Sequence, residues 1–219
     1  MNALVMYDHQ TDTLWSQFLS RGVKGPLANT SLEIVPALQT TWQRWLELYP
    51  ATKVLDKGGT YRSDSYEGYY RGGSAGILGE FHKDDRLPRK DLVLGLDLEG
   101  AAKAYPFRVI AQSGVVNDLF DGIPVLVTFD PISDTGAVFD RRIEGKTLTF
   151  DPMAQTQDGL PLLRDQETGS TWQGLTGWAI DGPLEGTVLR RLPSHYSFWF
   201  AWSDFHPDTE LYMLGNGTG

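Results

Sequence analysis

Two short polar segments carry side chains that could hold or activate a small molecule. Asn117 and Asp118 form a paired amide and carboxylate, which could orient a substrate or a water molecule. Their alternative role is structural, because both side-chain types readily bond to nearby backbone groups. Asp85 and Arg86 leave a similar choice. The arginine could hold an anionic ligand, or it could pair with a neighbouring aspartate and pin the chain.

A third polar segment, residues 130–136, reads Asp-Pro-Ile-Ser-Asp-Thr-Gly. Ser133 is a conceivable nucleophile and Asp130 a candidate ligand contact, but this composition is also that of an ordinary turn, which we favour. The chain has no cysteine, and its four histidines form no helical zinc motif, so we expect no metal and no cofactor. The motifs of nucleophile elbows and phosphate-binding loops are absent as well. The catalytic residues, if any, are therefore unknown.

The segment 56–83 is rich in glycine and tyrosine and shows no hydrophobic period. A connection of this length is usually either a functional lid or a linker. Tyr61 and Tyr69 favour a binding loop, since tyrosine offers contact area at low entropic cost. We expect this segment to have little regular structure and to line the largest cleft. The candidate ligand-binding residues are then Tyr61, Tyr69, Asp85, Arg86, Asn117, Asp118 and Asp130.

The elements that must position these residues are organised by an internal repeat. Residues 6–55 align with residues 163–212 without a gap, and 13 of the 50 positions are identical. Three pairs of tryptophan residues coincide in this alignment: Trp15 with Trp172, Trp42 with Trp199, and Trp45 with Trp202. Because one inserted residue would reverse the facing of a strand, an ungapped alignment predicts the same local fold twice. It also predicts that all six tryptophans are mostly buried.

Hydrophobic patterns then assign the secondary structure. Alternation predicts hairpins over residues 91–107, 138–150 and 162–172, and an apolar run predicts a buried strand over 123–129. A short helix is expected over 108–120, and a two-Trp helix followed by proline and a short strand (53–55 and 210–212) closes each copy. The fold class is therefore strand-rich α+β in one compact domain, residues 1–219. Residues 91–214 form a complete unit, whereas the first copy contains only the second half of one.

Several strings resemble an uncharacterised prokaryotic family, domain of unknown function 3179. They are residues 4–17, 84–88, 104–106, 114–118, 182–184, 197–202 and 205–209. The resemblance implies that longer relatives contain two units, the first bearing a Cys-Pro-Leu-Cys-Gly-Thr-Ala motif. Residues 130–133 occupy the equivalent place here and have neither cysteine, which argues against thiol redox or metal chemistry. An extracytoplasmic location is also implied by the resemblance, which brings no activity.

The composition of the chain disfavours some classes of binding partner. The net charge of −9 disfavours nucleic acid, and no apolar run is long enough to span a membrane. We expect a non-catalytic module that binds a small molecule or a protein partner, with a groove under the Gly/Tyr-rich loop. The alternative is a hydrolase-like enzyme that uses Asp, His and Arg side chains near that loop. Self-association through the N-terminal end is also expected, because an incomplete first unit exposes a strand edge.

Overall fold

The computed structural model describes six stretches of the chain, residues 4–56, 58–59, 66–76, 79–98, 100–154 and 159–214. Within them strands outnumber helices, and the longest helices have seven residues. The prediction of a strand-rich α+β fold is confirmed. None of the helices in these stretches is long and apolar enough to cross a membrane.

The first repeat copy begins with a three-stranded antiparallel sheet and ends with a helix. Its strands are β1 (Val5–Tyr7), β2 (Leu14–Ser16) and β3 (Arg21–Lys24), which pair in chain order. Asp8 builds the first turn: its carboxylate accepts hydrogen bonds from the Thr11 amide at 2.6 Å and from the Trp15 indole at 2.7 Å. Helix α1 (Trp42–Leu48) begins after Thr41, whose hydroxyl caps its first turn.

The central part of the chain supplies two sheets and the main core. Its elements are α2 (Glu67–Arg71), β4 (Leu92–Leu98), β5 (Ala101–Pro106), α3 (Phe107–Ile110), β6 (Val115–Phe120), β7 (Ile123–Asp130) and β8 (Thr135–Asp140). The antiparallel β6-β7-β8 sheet packs on the β4–β5 hairpin around Leu96, Phe129 and Val138. The helix expected over 108–120 is wrong beyond Ile110. Gly114 has a φ of +68°, and the chain then enters β6, which pairs with β7 along its length.

The last third of the chain contains the second repeat copy and contributes strands to two four-stranded sheets. Its elements are β9 (Arg142–Ile143), β10 (Lys146–Thr147), β11 (Phe150–Pro152), β12 (Leu162–Asp165), β13 (Thr171–Gln173), β14 (Trp178–Asp181), β15 (Ser194–Phe198), α4 (Trp199–Phe205) and β16 (Glu210–Leu211). Strands β11 to β14 form one antiparallel sheet in chain order. The other has the order β15-β4-β5-β16, with β16 parallel to β5. Helix α4 packs closely on this second sheet. The Trp202 ring comes so near to Gly95 in β4 that a Cβ atom at that position would lie only 2.2 Å from it.

The repeat extends to the local structure of both copies. A shift of 157 residues converts the bounds of β2, β3 and α1 into those of β13, β14 and α4, and β1 falls within β12. Asp165 accepts from the Trp172 indole at 2.9 Å, as Asp8 does from Trp15. Both copies also have a glycine at positive φ after the third strand, Gly25 and Gly182. The prediction of a common local fold is confirmed.

The two copies differ in how deeply their helices are buried. Trp42 is 52% exposed, whereas Trp199 is fully buried, so the prediction that every paired tryptophan is mostly buried is wrong for Trp42. Trp199 packs in a cluster with residues of β4 and β5. Among the described residues, 53–55 do not form the expected strand, whereas the equivalent strand of the second copy, β16, pairs with β5.

Candidate functional site

A cleft of about 410 Å³ lies beneath helix α2, and we call it the aromatic cleft. Three distant segments of the chain meet around it: the first copy, helix α2, and the junction of β15 with α4. Its lining residues are Leu4, Gln17, Phe18, Tyr69, Tyr70, residues 195–198, Phe200 and Ala201. Six of these side chains are phenylalanine or tyrosine. None of the described lining residues carries a carboxylate, a guanidinium or an ammonium group.

Lys90 fixes helix α2 above the aromatic cleft. Its ammonium lies 3.6 Å from the centroid of the Tyr69 ring and 4.9 Å from that of Phe198. The same group donates a hydrogen bond to the Tyr69 carbonyl oxygen at 2.5 Å. Burial lowers the pKa of Lys90. A cation held between two rings contributes on the order of 1 kcal/mol, so Tyr69 is anchored before any ligand binds.

His195 lies at the base of the aromatic cleft. Its ring stacks on Phe18 at a centroid distance of 5.0 Å, and Phe18 also stacks on Phe205 at 4.3 Å. Burial lowers the pKa of His195, and the neighbouring His206 acts in the same direction while Asp97 opposes it. The imidazole is therefore neutral at pH 7, and one ring nitrogen can donate while the other accepts.

The Gly/Tyr-rich segment has little regular structure in its described part, which contains only the five-residue helix α2. A neighbouring cleft of about 570 Å³ exceeds the aromatic cleft in volume, and the described residues of segment 56–83 do not line it. The described part of this segment therefore does not line the larger of these two clefts, contrary to the prediction. Tyr69 does line the aromatic cleft. Tyr61 lies outside the described residues.

Asp85 and Arg86 are engaged within the protein. Asp85 is exposed and pairs with Lys83 at 2.8 Å. Arg86 donates to the Asp84 carboxylate at 2.7 Å and to the carbonyl oxygen of Thr209 at 3.0 Å. Of the two alternatives left by the sequence, this geometry matches the arginine that pins the chain.

Asn117 and Asp118 point to different structural partners. The Asn117 side chain accepts from the Phe150 amide at 2.9 Å and donates to the Phe150 carbonyl oxygen at 2.8 Å, which joins β6 to β11. Asp118 accepts from the Tyr105 hydroxyl at 2.9 Å and pairs with Lys103 at 2.7 Å. The two side chains therefore bind different partners within the fold and do not form a joint substrate site in the described structure.

Asp130 belongs to a buried polar network that joins helix α1 to the end of strand β7. Its carboxylate pairs with Arg44 of helix α1 at 2.7 Å and accepts from the Ser133 hydroxyl at 2.5 Å. Asp130, Arg44 and Ser133 are all buried, so the serine has no access to a substrate. The segment is a turn, as favoured from its composition. Across the described residues, no group of three His, Asp or Glu side chains is arranged to hold a metal ion.

Sequence reasoning missed most of the aromatic cleft. Gln17, Phe18 and His195 attracted no prediction, because they are separated by about 180 residues and match no motif. The dense aromatic run at residues 196–200 was the available signal, but the repeat assigned it to the core. Of the six candidate site residues that the structure describes, only Tyr69 lines this cleft.

The fold defines a strand-rich α+β protein built on a duplicated unit. The profile of DUF3179, a family described as proteins of unknown function, matches residues 1–97 and 79–213, and the chain belongs to this family. The resemblance inferred from the motifs is thus confirmed, and the two overlapping matches fit the duplication. Comparisons with curated proteins and with solved structures give no significant match.

Proposed function

We propose that this protein is a binding module that takes a small, uncharged, ring-shaped ligand in the aromatic cleft. The observation that carries the proposal is the lining itself. Ligand sites are typically concave and mostly apolar or aromatic, with a few polar groups that set orientation. The aromatic cleft has this composition, and the absence of charge in its described lining favours a neutral ligand over an ion.

The lining assigns roles to particular side chains. Tyr69, Tyr70 and Phe198 present ring faces and edges on which a sugar or an aromatic ring can pack. Gln17, Ser197 and neutral His195 provide hydrogen-bond donors and acceptors to hydroxyl groups. Because Lys90 already holds Tyr69, little ordering is required on binding, which preserves affinity.

The hydrolase alternative is less well supported. Asp97, Asp121 and Arg190 line the neighbouring 570 Å³ cleft together with His195, and not the aromatic cleft. Arg190 is paired with Asp140 at 2.8 Å. Hydrolysis beneath the loop would require a carboxylate beside a nucleophile or a base, and the described lining of the aromatic cleft offers hydroxyl groups and His195 but no acidic partner for them.

Saturation-transfer NMR tests the proposal with two probes, methyl β-glucoside and p-cresol, which separate a sugar ligand from an aromatic one. We expect saturable transfer to at least one probe at millimolar concentration. Tyr70→Ala removes an exposed ring from the cleft and should weaken binding about fivefold, close to 1 kcal/mol. Tyr49→Ala, at an exposed tyrosine outside the lining, should bind like the wild type. Transfer to neither probe, or equal affinity of all three proteins, would refute the proposal.

A further inference from the structure

A second cleft lies on the sheet of the first copy. It has a volume of about 420 Å³ and is lined by Met6, Tyr7, Asp8, Thr11, Trp15 and two leucines, Leu27 and Leu32. Met6 and Leu32 are 38% and 42% exposed, respectively. The apolar side chains of this cleft, which we call the β1 cleft, are therefore open to solvent.

The second copy shows what fills the same cleft when it is covered. The counterparts of Met6 and Leu32 are Leu163 and Leu189, which are each only 2% exposed. They pack in a cluster with Trp172, Phe139 and Phe150. The Phe150 ring meets the Trp172 indole edge-on at 5.7 Å. An aromatic side chain from another strand thus occupies the position that is empty beside Trp15.

The backbone of the second copy is completed by the same segment. Strand β11 pairs antiparallel with β12, with Asp151 opposite Arg164 and Pro152 opposite Leu163. The Gln166 amide donates to the Thr149 carbonyl oxygen at 2.9 Å, which extends the pairing. Strand β1 has β2 as its only partner in the described chain, and the amide of His9, the counterpart of Gln166, has no backbone acceptor there.

We propose that the β1 cleft is a peptide-binding site that takes an extended segment with an aromatic anchor. The segment adds a strand antiparallel to the free edge of β1, as β11 does to β12, and its aromatic side chain packs against Trp15. Such strand addition draws affinity from main-chain hydrogen bonds and specificity from pockets for alternate side chains. Tyr7 is the counterpart of Arg164, which lies opposite Asp151 in the register of β11 and β12, so the residue that follows the anchor in the peptide faces an uncharged side chain.

The probe is a synthetic peptide with the sequence of residues 146–154, capped at both ends and labelled with fluorescein. Titration of the full chain is followed by anisotropy and by ¹⁵N NMR of the indole N–H groups, assigned with Trp15→Phe and Trp172→Phe. We expect saturable binding that shifts the Trp15 indole signal and leaves that of Trp172 unchanged. A peptide with Phe150→Ala should bind at least about tenfold more weakly, which corresponds to 1.4 kcal/mol.

Variants of the chain locate the site. Met6→Lys places a charge in the β1 cleft and should weaken binding about tenfold or more. Ile132→Lys adds the same charge at an apolar side chain that is 77% exposed on the β7–β8 turn, outside the β1 cleft, and should bind like the wild type. Near-UV circular dichroism verifies that both variants are folded.

Three outcomes would overturn the proposal. They are absence of saturable binding, equal affinity for the Phe150→Ala peptide, and an unchanged Trp15 signal. Sedimentation velocity should also be used to measure the oligomeric state, because the sequence leads us to expect self-association through the N-terminal end. A dimer that Met6→Lys dissociates but the peptide does not would assign the β1 edge to a second copy of the chain and exclude a peptide ligand.

Discussion

Truncation of matched tryptophans measures how differently the two copies are packed. Trp199→Ala removes a fully buried indole, and truncations of this kind cost about 3–5 kcal/mol. The Trp199 indole also donates to the Asp84 carbonyl oxygen at 2.9 Å, and loss of that partner adds roughly 1 kcal/mol. Trp42→Ala alters a side chain that is 52% exposed, leaves no closed cavity and should cost about 1 kcal/mol or less.

Urea unfolding followed by far-ultraviolet circular dichroism gives both values by linear extrapolation. Because a domain of this size is stable by about 5–15 kcal/mol, Trp199→Ala leaves little margin. Trp199→Phe, which keeps most of the volume, provides a graded second point. Equal losses for Trp42→Ala and Trp199→Ala would refute the reasoning, since the repeat alone makes the two positions equivalent.

Two further predictions concern acid stability and the aromatic cleft. Burial alone would raise the pKa of Asp140, but hydrogen bonds from Arg142 outweigh it and lower the pKa to about 2 from the ordinary 3.8. The ionised carboxylate therefore stabilises the fold above that ordinary value, and this contribution is lost as the pH falls through the folded-state pKa. Asp140→Asn should remove roughly 1–2 kcal/mol of this acid dependence, and a pH-independent difference in urea unfolding would contradict it. Lys90→Met should release Tyr69 and make chymotrypsin cleave helix α2 roughly fivefold faster. The control variant Arg71→Met should leave the cleavage rate unchanged. Equal cleavage rates for the two variants would show that Lys90 does not anchor Tyr69.

Local structure was predictable wherever short-range chemistry determines it. The Asp8 turn needs only the threonine three residues on and the tryptophan seven residues on, so its repetition at Asp165 was visible in the sequence. The helix expected over 108–120 failed for the opposite reason. The sequence of residues 108–120 is compatible with a short helix when it is considered alone. Strand β6 forms because it pairs with β7, and this contact cannot be inferred from the residues of β6 themselves.

The candidate site residues show the same division. Asp85, Asn117 and Asp130 were chosen because their side chains are chemically versatile, and each is engaged by a partner within the fold. Carboxylates and amides satisfy buried backbone and charged groups as readily as they bind ligands, so residue type alone does not separate the two roles. Tyr69 was predictable because tyrosine in a long, unpatterned segment has no obvious place in the core.

The sequence by itself determined the duplicated unit, the strand-rich class and the turns and helix ends of both copies, because these depend on contacts within a few residues. Only the tertiary structure decided which copy is covered. Identical elements bury Trp199 against β4 and β5 but leave Trp42 exposed. The aromatic cleft likewise arises only when residues 17–18, 69–70 and 195–198 meet in space. Burial is a property of what packs against a residue, and that partner lies far away along the chain.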